Sequence, residues 1–360
     1  MKIERLEVVP YSLSFREPYV TARGRLERRE LVLLRVQTDG LEGLGEGAPL
    51  SLRGGPAAAE IAQDLDKVCR SLLEGAQFEP DEWSQLAVGC ERADISRGAL
   101  AAVELALLDL AGKALGVAAW QLLGAASARP VLCNATLIAD KPQAVAENAV
   151  AHAERGFTTF KLKVGVNGDV DQVAAVRKAV GAESRIRVDA NGVWAEGHAI
   201  ATLRELEPLD VELAEQPAAT VQGLAAVRRD TSVPVFADES VASPDDAAEV
   251  VTAEACDGAT VKIAKVGGVR AARTVFDILP TYLSSALDGP VGIAAAAHLA
   301  QVLPTSGPAA GLAHGLATAE LFDETIASQE CRVESARLQP SADPGFGVVI
   351  DEDALERCRP

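Results

Sequence analysis

From Pro130 onward the chain alternates short apolar runs with amphipathic ones at intervals of roughly 25 residues, the rhythm of parallel α/β units. Strand-like runs fall at Val131 to Thr136, Thr159 to Val164, Arg185 to Asp189, Val211 to Ala214, Val235 to Ala237, Gly258 to Lys262 and Thr281 to Ser285, with a last short one near Ala309 to Ala313. Seven or eight such units in about 190 residues predict a closed (β/α) barrel, because an open doubly wound sheet uses five or six strands. No GxGxxG or Walker motif follows any strand, which argues against a nucleotide site.

One repeat shows the logic. In Phe160-Lys161-Leu162-Lys163-Val164 the two-residue period sends both lysines to one face. Glycines punctuate the turn, Asp169 is the expected N-cap of a helix over Val170 to Val180, and Arg185 to Asp189 is the next strand, ending on a carboxylate.

Upstream, Ile3 to Val9, Glu30 to Thr38 and Leu41 to Glu46 alternate as strands, and Asp39-Gly40 marks a hairpin turn. The polar segment Tyr19 to Arg29 reads as a long loop. Helices are predicted at Ala57 to Leu73 and Ser96 to Leu115, the second almost wholly apolar apart from Glu104 and Asp109. Domain boundaries are expected at 1–125 for an N-terminal α+β unit, 126–325 for the barrel and 326–360 for a segment returning to the first unit.

With 360 residues, 48% of them hydrophobic, the chain can bury a large core. A formal net charge of -18 and a pI near 4.7 argue against nucleic acid as a partner. Six scattered cysteines show neither zinc-site nor disulfide-framework spacing and read as reduced thiols. The N-terminus lacks an apolar leader and no run reaches membrane-spanning length, so a cytoplasmic location without membrane contact is expected.

Residues at the C-terminal ends of barrel strands converge on one mouth, so what ends each strand decides the chemistry. Strand two offers Lys161 and Lys163, strand three Asp189, strand four Glu215, strand five Asp238 and strand six Lys262. A single Asp after a strand is most often a helix cap. Three acids from consecutive strands, 26 and 23 residues apart, instead form an all-oxygen set suited to a hard divalent cation. Lysines on either side of that cluster suit general base work if neighbouring positive charge and desolvation lower their pKa. Lys262 and Lys265 share the run KIAKVGG. Lys262 is expected to end the strand and Lys265 to fall in the following turn. A ligand-binding barrel without catalysis has no need of lysines flanking a metal.

The set Lys161-x-Lys163, Asp189, Glu215, Asp238 and Lys262 resembles the enolase superfamily, specifically its muconate lactonising subgroup. GLGEGAPL (Gly43 to Leu50) and AVELALLDLAGK (Ala102 to Lys113) extend the resemblance over essentially the whole chain. It implies an α+β capping domain over a (β/α)7β TIM-like barrel, and Mg²⁺, with Mn²⁺ as the alternative, held by Asp189, Glu215 and Asp238. It implies Lys163 as base, Lys161 as its support and Lys262 across the site. The resemblance also implies a small carboxylate substrate, and members of the family are often homo-oligomers.

Within the subgroup, dipeptide epimerases usually carry Asp-x-Asp on the last barrel strand, and AAGLAHG (Ala309 to Gly315) has no such pair. LSSALDGPVGIAAAAHLA (Leu283 to Ala300), AHGLATAELF (Ala313 to Phe322) and TARGRLERRE (Thr21 to Glu30) look more like o-succinylbenzoate synthases, which dehydrate a cyclohexadiene carboxylate in menaquinone biosynthesis. That likeness implies substrate contacts from Arg23, Ser284 and Ser285, with backbone N–H groups of the following helix meeting substrate carboxylates. N-succinylamino acid racemase is the alternative, ahead of dipeptide epimerase and muconate cycloisomerase.

Overall fold

The computed structural model describes residues 1–21, 24–50, 54–138 and 140–360. Three antiparallel strands open the chain, Arg5–Thr21, Gly24–Thr38 and Leu41–Gly47. Asp39 and Gly40 both take positive φ, 45° and 78°, as the two-residue turn requires.

The predicted loop at Tyr19 to Arg29 is a hairpin instead. Its ribbon continues through Tyr19↔Leu26, Val20↔Arg25 and Thr21↔Gly24, after an irregularity between Ser14 and Tyr19. Arg25, Glu27 and Arg28, part of the polar run that suggests a loop, are exposed on this ribbon, while Tyr19 stacks on Phe15, whose ring meets Phe322 of the barrel 4.9 Å away.

The sheet is apolar on both faces, and the two-residue period divides its side chains. Val32, Leu34 and Val36 pack with the helices of the N-terminal unit, whereas Leu31 and Leu33 join the core shared with the barrel. Helix Arg97–Leu115 lies directly on the third strand. A Cβ at Gly43 would stand 2.2 Å from the Ala106 carbonyl oxygen and one at Gly45 1.9 Å from that of Ala102. Only glycine permits that approach. The two acids of this helix are spent structurally. Glu104 pairs with Arg270 of the barrel at 2.7 Å, and Asp109 accepts from Leu44 N and Phe346 N while pairing with Lys113.

The barrel strands are, in order, Ala135–Leu137, Thr159–Lys163, Arg185–Asp189, Val211–Glu215, Val235–Ala237, Gly258–Val261 and Thr281–Leu283, all parallel neighbours. Residues 313–315 close the ring. His314 N donates to Leu132 O and Asn134 N to His314 O, while Gly315 N donates to Leu283 O and Ser285 N to Gly315 O.

Two predicted strands are corrected. Val131–Leu132 is a separate strand that pairs antiparallel with Arg337–Leu338, while the first barrel strand is Ala135–Leu137, and the last strand sits at 313–315 rather than 309–313. Both runs are apolar, and apolar character does not say which neighbour a strand pairs with. Asp169 is the first helical residue, with Gly168 as cap, and its carboxylate accepts from Gly165 N, Val166 N and Trp194 Nε1. Beyond the barrel, Ala327–Gln329 pairs with Val349–Ile350. Ser12 N donates to Cys358 O and Arg35 pairs with Glu352 at 2.7 Å, so the last residues touch the N-terminal sheet. Among the described residues no helix is long and apolar enough to cross a membrane.

Candidate active site

Strand register puts the charged residues side by side. Lys163 is the neighbour of Asp189 across strands two and three, and Asp189 of Glu215 across strands three and four. Asp238 directly follows strand five, and Lys262 follows strand six. Asp189, Glu215 and Asp238 have no solvent exposure, and Lys161, Lys163 and Lys262 are almost as deeply buried.

The side chains form a paired cluster. Lys161 Nζ lies 2.7 Å from both oxygens of Glu215 and 2.9 Å from Asp189 Oδ2, and Lys163 Nζ lies 2.6 Å from that same Oδ2. Lys262 bonds Asp238 Oδ2. Lys265 reaches the other oxygen of Asp238 at 2.7 Å and also bonds the Asp238 and Thr260 carbonyls. Both lysines of KIAKVGG therefore hold Asp238, but only Lys262 lines the cavity above.

Burial works against the charge of Asp189, yet the ammonium groups of Lys161 and Lys163 outweigh it and hold this carboxyl well below the usual range. Glu215 goes the other way: burial and the nearby Asp189 raise it despite Lys161. Burial alone would lower Lys161, but Asp189 and Glu215 raise it well above the ordinary lysine value. The lysine pKa lowering expected from sequence is thus reversed at Lys161, because its neighbours here are carboxylates. A divalent cation on the same oxygens supplies the opposite charge.

As the side chains stand, no three His, Cys, Asp or Glu among the described residues close around one point. The carboxylates are turned onto the lysines. Donor chemistry and placement nevertheless fit a hard divalent cation: three buried carboxylates, all oxygen, at the ends of adjacent strands in one low-dielectric cavity. Ammonium groups and cation would compete for the same oxygens.

The cavity over the cluster is lined by Lys161, Lys163, Asn191 and Lys262 below and by Tyr19, Leu26, Arg29 and Leu50 from the N-terminal unit above, with Ser284, Ser285 and Leu287 at its side. Ser284 and Ser285 are therefore at the site. Ser285 Oγ, however, accepts from Asp288 N at 2.8 Å, and Ser284 Oγ faces Gly315 O at 3.4 Å. The helix that follows, Pro290–Leu299, does not offer its N-terminus to a ligand as expected. Gly289 N and Val291 N donate to Glu46 of the third N-terminal strand. Arg23 lies outside the described residues.

Arg29 goes unmarked in the sequence because it sits in a charged run. It is buried, and its guanidinium donates to the carbonyls of Pro49, Ala286 and Leu287, tying the hairpin to the end of strand seven. Leu287 takes φ 64°, the left-handed region that a leucine rarely occupies. Asn191, also with positive φ, accepts from Lys163 at 3.2 Å and donates to Glu239. Its signal was available in the VDANG run.

Residues 4–124 match the mandelate racemase / muconate lactonizing enzyme N-terminal domain, and residues 144–354 match the enolase C-terminal domain-like family. The L-Ala-D/L-Glu epimerase of Clostridium acetobutylicum is 31% identical over 313 residues, 83% of this chain and 87% of that protein. An o-succinylbenzoate synthase of Thermobifida fusca is 43% identical over 187 residues, 50% of this chain and 58% of that protein. Full-length likeness to that synthase is thus not what the comparisons give. Among solved structures, the muconate lactonizing enzyme from Pseudomonas fluorescens complexed with muconolactone superposes with TM-score 0.93 at 28% identity, covering 100% of this chain and 99% of that one. The dipeptide epimerase from Enterococcus faecalis V583, complexed with Mg and L-Leu-L-Tyr, gives 0.90 at 27%, covering 97% and 100%. The N-succinyl Arg/Lys racemase from Bacillus cereus ATCC 14579 gives 0.92 at 25%, covering 100% and 98%. With both domains matched and a barrel whose mouth holds lysines on strands two and six around three carboxylates, this chain is an enzyme of the enolase superfamily.

Proposed function

We propose that this enzyme is an o-succinylbenzoate synthase acting on 2-succinyl-6-hydroxy-2,4-cyclohexadiene-1-carboxylate. The carrying observation is one cavity lined by Lys163 and Lys262, in a chain whose closing strand reads Ala-His-Gly where an epimerase usually has two aspartates. The 43% identity to the Thermobifida synthase supports it over half the chain.

Asp189, Glu215 and Asp238 would hold Mg²⁺, whose chemistry there is to stabilise the negative charge that spreads onto a substrate carboxylate when its α-proton leaves. Lys163, as the neutral amine, takes that proton. It returns a proton to the departing hydroxyl on the same face, so the elements of water leave and the ring gains a double bond. Lys161 holds Glu215 and Asp189 in place, and the Lys262 ammonium steadies the charge from strand six. Tyr19, Leu26 and Leu50 shield the site from water, which strengthens these interactions.

N-succinylamino acid racemisation is the second reading, favoured by the same pair of lysines, since a base on each side of one α-carbon serves both enantiomers. Purified protein with Mg²⁺ is assayed with the cyclohexadiene carboxylate and then with N-succinyl amino acids in heavy water. Formation of o-succinylbenzoate supports the first reading. Solvent deuterium entering both enantiomers of a succinyl amino acid, without dehydration of the diene, replaces it with the second.

A further inference from the structure

Tyr282 belongs to strand seven and is fully buried in the barrel. Its ring packs with Leu213 and Phe236, the Phe236 ring 5.8 Å away and tilted by 45°. The Arg187 guanidinium from strand three lies over the ring at 4.6 Å. Arg187 is itself fixed, by Glu212 at 2.5 Å and by the Ala313 carbonyl at 2.6 Å. An aromatic ring wedged in this way cannot swing, so the direction of its hydroxyl is set by the barrel. That hydroxyl donates to Glu215 Oε2.

We infer that Tyr282 is a positioning residue for the cation site, holding one oxygen of Glu215 toward the barrel floor so that the carboxylate stays oriented for Mg²⁺. This rests on the reading of Glu215 as a metal ligand. Its physical basis is competition. Lys161 lies 2.7 Å from both Glu215 oxygens, and without a neutral donor on Oε2 the carboxylate is left to that ion pair. A phenol competes for one lone pair without adding positive charge beside the cation. Outer hydrogen bonds of this kind orient metal ligands, and their loss typically weakens metal binding.

The test is calorimetric titration of Mg²⁺ into the full chain and into Tyr282→Phe, with melting temperatures of both in chelator. The inference expects the variant to bind Mg²⁺ roughly 10- to 100-fold more weakly while melting within about 2 °C of the parent. An affinity within about twofold of the parent at equal stability overturns it and leaves the metal site standing. Failure of the parent to bind Mg²⁺ overturns the site and the inference together. If Tyr282→Phe does not fold, the parent is labelled with 3-fluorotyrosine. The chain has three tyrosines, Tyr11, Tyr19 and Tyr282, and Tyr11→Phe and Tyr19→Phe assign the fluorine signals. A Tyr282 signal that shifts on addition of Mg²⁺ supports the inference, and one that stays fixed overturns it.

Discussion

Glu46 places its carboxylate 2.7 Å from the backbone N–H of Gly289, joining the third strand of the N-terminal sheet to the start of a barrel helix. Tyr11 donates to the same carboxylate at 2.9 Å, Asp288 is its charged neighbour, and Arg29 in turn faces Tyr11 and Asp288. Burial and then Asp288 push Glu46 up to about 7 against these hydrogen bonds. A group whose folded pKa exceeds its unfolded value stabilises most at low pH, and that contribution is lost as pH rises from about 4.5 through 7. Glu46→Gln is therefore expected to gain on the parent across that window, by up to about 3 kcal/mol. Urea unfolding at pH 5 and pH 8 measures it. A variant-to-parent difference that does not change with pH would count against the assignment.

His298 and His314 respond in the opposite sense. Burial lowers each to about 4; Arg187 adds to this at His314. Their neutral rings accept backbone N–H bonds, His298 from Trp120 and His314 from Leu283. The unfolded chain takes up protons first, so stability is lost as pH falls from about 6.5 toward 4. The C2-proton signals of the two rings are expected to stay at neutral-imidazole positions down to about pH 5. Titration near 6.5 for either would contradict this.

Lys163→Ala is expected to lower kcat by about 10²- to 10⁴-fold while Mg²⁺ still binds, since the carboxylates remain. Stopped assays and metal titration read the two quantities separately. Retained turnover removes Lys163 from the mechanism.

Asp238→Asn takes a carboxylate from two buried ammonium groups at once, Lys262 and Lys265. A loss of roughly 3–5 kcal/mol is expected, together with loss of Mg²⁺ binding. Denaturant unfolding in chelator isolates the first effect, and an unchanged midpoint would show that the lysines find other partners.

Gly45→Ala brings a methyl group to 1.9 Å from the Ala102 carbonyl oxygen, so strand and helix must part. Destabilisation by about 3 kcal/mol or more is expected, seen as a lowered melting temperature. A normal melt would mean that the helix shifts at little cost.

Much of the candidate site was legible because strand period and strand ending are local properties. Lys161 and Lys163 alternate inward, and Asp189, Glu215 and Asp238 stand at the ends of strand-like runs, so their convergence needs only a closed barrel. Tyr282 could not be found this way. It lies within an apolar strand, and its importance comes from Glu215, 67 residues away, and Arg187. The same holds for the hairpin from Tyr19 to Arg29, whose polar composition resembles a loop until Phe15, Tyr19 and Phe322 are seen to anchor it.

By itself the sequence determined the repeated strand–helix unit, the turn at Asp39-Gly40 and the identity of the charged groups at the barrel mouth, all set by short-range periodicity and backbone preference. Only the tertiary structure decided that Val131–Leu132 pairs with Arg337–Leu338, that residues 313–315 close the barrel, and that Glu46 rather than a substrate meets the helix start at Gly289. Pairing partners and buried hydrogen bonds depend on which surfaces meet across hundreds of residues, and no local pattern encodes that choice.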